Sequence, residues 1–358
     1  MGILVVLFVL GLAVFYQARL PQAFEETPPV LPALGRAAVS PSPIQQFQGQ
    51  VVPTPAAEER HPPSLLALLM KGETNLHLGI EQLQGYLDKD HRNVESLLGA
   101  YRATRDTNLL REAAERFPKD PRVAFDEVFF GPPDDRRKWL DALKESAPDN
   151  PLANYLSAAD YFKGGQRDLA LQELQAADGK QNYSDYSMDF LENSEEAYRA
   201  AGYPDAVAQV AADTELLLPH LAQLKADGVG LVDLAKSYQQ SGDSDSAQAA
   251  LQLAMNLGQR LDQPDSFTLI QPLVGMAVQN LALNAMDSSD PAVQSELAAV
   301  AQERQAVRDL SAQFQDILSG AQQLDSVPEQ EVIAFFQREK LFGAQAAMQW
   351  AVNRFSQK

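Results

Sequence analysis

The sequence predicts an all-α protein, a superhelix of stacked helical hairpins behind an N-terminal apolar segment and a Pro-rich linker. Three observations predict it. Apolar residues recur at helical spacing from residue 64 onward. Polar connectors recur at a repeat-like interval of about thirty residues, as in Pro118-Lys119-Asp120-Pro121 and Pro148-Asp149-Asn150-Pro151. One hairpin is legible side chain by side chain. In Val229 to Leu257, Leu231, Leu234, Ala235 and Tyr238 share a helical face, Gly242 and Asp243 break the helix, and Ala247, Leu251 and Ala254 form the facing stripe.

Composition narrows the function. The chain has 358 residues, a net charge of −19 and no cysteine. That acidity argues against a nucleic-acid partner, because phosphate backbones need clustered Lys and Arg. Without cysteine there are no disulfides, thiolate metal sites or cysteine nucleophiles. The charge is spread over helix faces and not gathered in a tail.

Residues 1–18 form the first unit. Ile3 to Tyr16 is a nearly unbroken apolar run, short for a span of about 20 residues. A signal anchor, a cleaved signal peptide and a buried core helix compete for it. Tyr16-Gln17-Ala18 is a poor cleavage site, which favours an uncleaved membrane anchor. Arg19 and Arg36 follow the run and no basic residue precedes it, so the positive-inside rule taken literally places the bulk of the chain in the cytoplasm. The layout of apolar run and Pro-rich stalk instead favours an extracytoplasmic domain. Residues 19–63 read as that stalk, since Pro21, Pro28, Pro29, Pro32, Pro41, Pro43, Pro53, Pro55, Pro62 and Pro63 forbid a continuous helix.

A repeat domain is expected over 64–262. Ser64 follows Pro62-Pro63 as an N-cap, and helical spacing runs through Leu65, Leu69, Leu76, Ile80, Leu83 and Leu87, weakened by Gly72, Gly79 and Gly85. Val94 to Thr104 and Leu109 to Phe117 make a hairpin. Asp134-Asp135 opens a helix carrying Trp139, Leu140 and Leu143. Residues 263–358 are expected to cap the array. They comprise a helix over Phe267 to Met286, another over Pro291 to Leu318, and a final one begun by a capping box at Ser326 and Glu329 and bearing Val332, Phe335, Phe336, Phe342, Trp350 and Phe355.

From Pro151 the pattern sharpens. Ala158, Tyr161, Gly165, Ala170, Leu174 and Ala177 align without a gap on Ala235, Tyr238, Gly242, Ala247, Leu251 and Ala254. A looser copy lies between them at Tyr198, Gly202, Ala206 and Val210. These units resemble tetratricopeptide repeats, most clearly over 151–178 and 228–257. The resemblance implies that the first helix of each hairpin lines a groove for a peptide or helix. It assigns Tyr155, Ala159, Phe162 and Lys163 to that groove in the earlier repeat, Val232, Lys236, Gln239 and Gln240 in the later one, and Glu192, Glu196 and Arg199 in the looser copy. The chain departs from the carboxylate-clamp pattern, which needs convergent Lys, Arg and Asn.

Motifs for chemistry are lacking. His61, His77, His91 and His220 do not pair at ligand spacing, and HExxH, GxSxG, GxGxxG and a Walker A loop are absent. Gly164-Gly165 sits where a repeat needs its turn. Asp134-Asp135 reads as first-turn acids and Glu195-Glu196 as a solvated face. No catalytic residue, cofactor or metal is assigned. The expectation is a membrane-anchored, non-enzymatic scaffold binding protein or peptide partners through the groove. Self-association through the C-terminal helices is the alternative, and a helical-toroid enzyme acting on glycans or lipids is a more distant one.

Overall fold

The computed structural model describes residues 64–70, 74, 76–319 and 327–356. The expected anchor, the linker and Ser326 of the expected capping box lie outside the described residues. Among the described residues the regular structure is entirely helical. No helix there is long and apolar enough to cross a membrane.

The first expected helix is two, α1 (Leu65–Met70) and α2 (Ile80–Lys89). There follow α3 (Val94–Thr104), α4 (Thr107–Arg116), α5 (Pro121–Phe130), α6 (Arg136–Ser146), α7 (Leu152–Lys163) and α8 (Arg167–Asp178). Then come α9 (Ser187–Ala200), α10 (Asp205–Thr214), α11 (Pro219–Ser241), α12 (Ser244–Leu261), α13 (Ile270–Ala285) and α14 (Pro291–Ser319). The expected final helix is a hairpin, α15 (Glu329–Phe342) and α16 (Ala344–Phe355). The break falls at Gly343, whose φ of 84° lies in the left-handed region that favours glycine.

The connectors act as their residue types dictate. Asp120 accepts a hydrogen bond from the Arg122 amide at 2.9 Å, directly before Pro121 in the first turn of α5. Asn150 accepts from the Leu152 amide at 3.0 Å at the start of α7. Asn93 caps α3 through the Ser96 amide, and Asp243 caps α12 through the Ser246 amide. Each cap satisfies an N–H that a helix start leaves without a partner, an effect of typically about 1 kcal/mol.

Helices α3 to α8 pack each on the next, as consecutive hairpins should. Hairpin α11–α12 then packs on α7 and α8, skipping the intervening pair. Phe162 of α7 lies against Gly230 of α11, so closely that a Cβ there would sit 2.8 Å from the ring. The skipped hairpin, α9–α10, turns back to the start of the array, where α9 packs on α3 and α2, and α10 on α1. Helix α13 packs on both α11 and α12, α14 on α13 and α16, and α15 on α10. Contacts therefore run in a closed circuit from α3 through α7, α11, α13, α14, α16, α15 and α10 to α9, and back to α3.

The crossing of α3 and α9 explains why the hairpin turns back. Gly99 meets the Asn193 backbone so closely that any Cβ there would overlap the Asn193 carbonyl. Ser194 is buried and returns its hydroxyl to the Phe190 carbonyl at 2.8 Å, so it too fits a tight crossing. Phe190, Leu191, Ala197 and Tyr198 of α9 are fully buried. Each large side chain among them contributes about 1.5–3 kcal/mol by leaving water. The Tyr198 hydroxyl donates to the Leu76 carbonyl at 2.7 Å and fixes the segment ahead of α2.

Candidate functional site

The first helices of the hairpins, α3, α5, α7 and α11, form the side on which a repeat groove is expected. In this chain α9 and its lead-in segment lie across that side. Phe190 meets Phe125 of α5 at a ring-centroid separation of 5.4 Å. The lead-in crosses α7, where Asn150 donates to the Ser184 carbonyl at 2.7 Å and to the Tyr186 hydroxyl at 3.2 Å. It reaches α11 where Asp185 Oδ2 lies 3.0 Å from His220 Nε2.

Two buried polar pairs hold this arrangement. Arg102 of α3 pairs with Asp126 of α5, and its guanidinium stacks 3.5 Å from the Phe190 ring centroid. Both side chains are almost wholly buried, and Asp126 Oδ2 and Arg102 Nε have no partner. Burial pushes the Asp126 carboxyl up to about 6 against the pull of Arg102. The second pair is His220 with Asp185. His220 is fully buried beside Phe125, close to Asp185 but not aligned for a hydrogen bond, and its Nδ1 has no partner. Burial works against the Asp185 carboxylate, yet His220 and the Ser187 donors hold its pKa below the usual value. The pair ties the lead-in of α9 to α11.

Beside the lead-in lies a cleft of about 230 Å³ walled by Tyr183, Tyr186, Asp189, Phe267 and Gln271. Among the described residues no cluster of His, Asp or Glu could hold a metal ion.

The residues assigned to a groove separate into three settings. Tyr155, Val232 and Phe162 lie in helix–helix contacts. Tyr155 and Val232 are buried, and Phe162 rests on Gly230. Ala159 is half-buried on the same helix as Tyr155. Lys163, Lys236, Gln239 and Gln240 are exposed at the C-terminal ends of the neighbouring helices α7 and α11. Lys236 lies 3.7 Å from Asp233, and Gln239 donates to the Ala285 carbonyl at 3.3 Å. Glu192, Glu196 and Arg199 are exposed on α9. Arg199 is held by Glu195 at 2.7 Å and Asp205 at 2.8 Å. Glu195, expected on a solvated face, is instead 1 % exposed. Its neighbour Glu196 does face solvent. The signal for Glu195 was its i, i+4 spacing from Arg199, which sequence alone does not place inside or outside.

Trp139 is buried, and Trp350 and Phe355 pack partly against the core, as aromatics at helical spacing should. Leu341 and Phe342 are different: they stand 72 % and 59 % exposed, side by side at the α15–α16 corner. Comparison with protein-family models, with curated proteins and with solved structures finds no match to this chain.

Proposed function

We propose that this chain is a non-enzymatic helical-repeat scaffold, tethered to a membrane by residues 3–16, that binds protein or peptide partners. One observation supports this reading more than any other. The polar residues that the repeat resemblance assigns to partner contact, and that remain exposed, fall on two faces. One is the outer side of α9 with Glu192 and Glu196. The other comprises the exposed polar residues towards the C-terminal ends of the two packed helices, Lys163 on α7 and Lys236, Gln239 and Gln240 on α11. Because α9 lies on α3 and α5 and its lead-in crosses to α7 and α11, partner contact belongs to these outer faces and not to an open channel. A net charge of −19 favours a partner with a basic surface, steered by the long-range field.

The test is crosslinking and co-purification from native membranes with two charge-reversed chains. One carries Glu192→Lys with Glu196→Lys, the other Lys163→Glu with Lys236→Glu. All four positions are exposed, so both chains should keep wild-type circular dichroism. Loss of a partner from one of them would assign the contact to that face. Retention of every partner by both would reject the outer faces as the binding surface.

Self-association is a second reading, favoured by the adjacent exposed Leu341 and Phe342. It predicts a mass in light scattering that rises with concentration and returns to the monomer value in Leu341→Glu with Phe342→Glu.

A further inference from the structure

We propose that Glu195, Asp213 and Glu339, with Lys340 and Arg199, form a proton-loaded latch that couples docking of the C-terminal hairpin α15–α16 on hairpin α9–α10 to pH. Three helices meet at this cluster. Glu195 comes from α9, Asp213 from α10, and Glu339 with Lys340 from α15. Lys340 Nζ lies 2.8 Å and 2.9 Å from the two Glu195 carboxylate oxygens. Arg199 Nη2 donates to Glu195 Oε2 at 2.7 Å, but the same guanidinium also serves Asp205. Both cations are thus committed to Glu195 or Asp205. Glu339 Oε2 has no hydrogen-bond partner.

The charge count decides what the cluster must do. Three carboxylates, one buried and two half-buried, meet two cations, and one of those cations is shared with Asp205. Leaving all three ionised would put net negative charge in a partly dehydrated site, so protons are held instead. Burial, then the nearby Glu195, pushes the Asp213 carboxyl up to about 7. Burial, then Asp213, lifts Glu339 well above the usual carboxylate range, with Lys340 opposing. Both side chains keep some exposed surface, which lets protons in and out.

Among the described residues, other charges on α10 and α15 have partners of their own: Arg338 of α15 lies over the Trp350 ring and donates to the Ala334 carbonyl, and Glu215 at the end of α10 is held by Arg105. Helix α1, packed on α10, carries no charged residue. Helix α14 meets α15 through Phe314 stacked on Phe335. Arg354 of α16 is taken by Glu331 at 2.7 Å. On the other side of α9, Arg102 of α3 is committed to Asp126, and Tyr86 of α2 stands near the exposed Glu196.

The sign follows from linkage. The docked hairpin holds protons that an undocked hairpin, with ordinary carboxylates near pH ~4, would release. Docking is therefore strongest in acid and is lost as pH rises. Opening grows about tenfold per pH unit for each proton released. For Asp213 the growth levels off once pH passes about 7, and Glu339, raised in the same direction, adds to it.

The experiment is hydrogen exchange on the full chain between pH 5 and pH 8, corrected for intrinsic exchange, comparing amides of residues 329–355 with those of α12 and α13. The latch predicts a fall in protection of the C-terminal hairpin of tenfold or more, ahead of α12 and α13. In Asp213→Asn with Glu339→Gln, which mimic the protonated forms, that protection should stay high and flat. A wild-type profile that is flat across this range, or that falls together with the whole molecule, would overturn the proposal. So would an unchanged pH slope in the double variant. If that variant fails to fold, the single Asp213→Asn decides, because it must remove part of the slope.

Discussion

Arg102 and Asp126 carry more structural information than any other pair in the chain. They join α3 to α5, and through the Phe190 ring they hold α9 against both. Replacing Arg102 by Met leaves a buried carboxyl without its cation. The expected cost is about 3–5 kcal/mol at neutral pH, measured by chemical denaturation. Without Arg102 to oppose it, burial favours the protonated form of Asp126, so the loss should be smaller at pH 5 than at pH 8. Adding Asp126→Leu to Arg102→Met should recover much of it. Asp227 is a simpler case. It is fully buried in α11 with neither oxygen partnered, and burial, then Asp160, pushes its carboxyl well above the usual value. Its folded pKa is raised, so the stability it contributes is present in acid and lost as pH climbs. Asp227→Asn should raise the melting temperature more at pH 8 than at pH 5, and an equal shift at both values would refute the neutral carboxyl.

At the scale of elements, helices were legible because their signals are local. Pro121, Asp120, Asn150 and Gly165 carry the chemistry of starts, caps and turns, and Val94–Thr104 follows from apolar spacing alone. The extent of α11 was not. Its first ten residues, Pro219 to Gly228, include His220, Asp227 and Gly228, which mask the apolar stripe although all three are buried. The split at Gly343 was missed because Phe342 and Trp350 keep helical spacing across it. Glycines give the sharpest test of packing at this scale. Gly99→Val should cost about 1–3 kcal/mol or more by forcing α3 and α9 apart. Gly85, in α2, has open space where a Cβ would go, so Gly85→Ala should stabilise by about 0.5–1 kcal/mol. Equal effects at the two sites would mean that the α3–α9 crossing is looser than described.

At the scale of the molecule, the sequence order of hairpins is not their packing order. The alignment of residues 151–178 with 228–257 reads naturally as a regular series with a looser copy between. Those two units do pack on one another, while the copy between them folds back onto α2 and α3. The reason is long-range complementarity, the tight approach at Gly99 and the Phe190–Arg102 stack, which no local periodicity encodes. The same rearrangement explains why the candidate contact residues divide as they do. Phe162 serves the α7–α11 contact that the fold-back makes possible, Tyr155 is buried beneath Arg260 of α12, and the polar ends of α7 and α11 remain outside.

The fold-back of α9–α10 is the claim on which the rest depends, and Arg105 and Glu215 test it most directly. Arg105 ends α3 and bonds Glu215, at the end of α10, through both its carboxylate at 2.8 Å and its backbone carbonyl at 2.9 Å. In a series stacked in sequence order, hairpins α5–α6 and α7–α8 would stand between them, each layer adding about 8–10 Å. The chain has no cysteine of its own, so Arg105→Cys with Glu215→Cys places the only two thiols in the molecule. Treated with a short bis-maleimide at low protein concentration, the double variant should give an intramolecular link joining residues 105 and 215 in the peptide map. If both thiols react singly and no such link forms, the hairpin does not lie where it is described, and the outer faces assigned to partner binding fall with it.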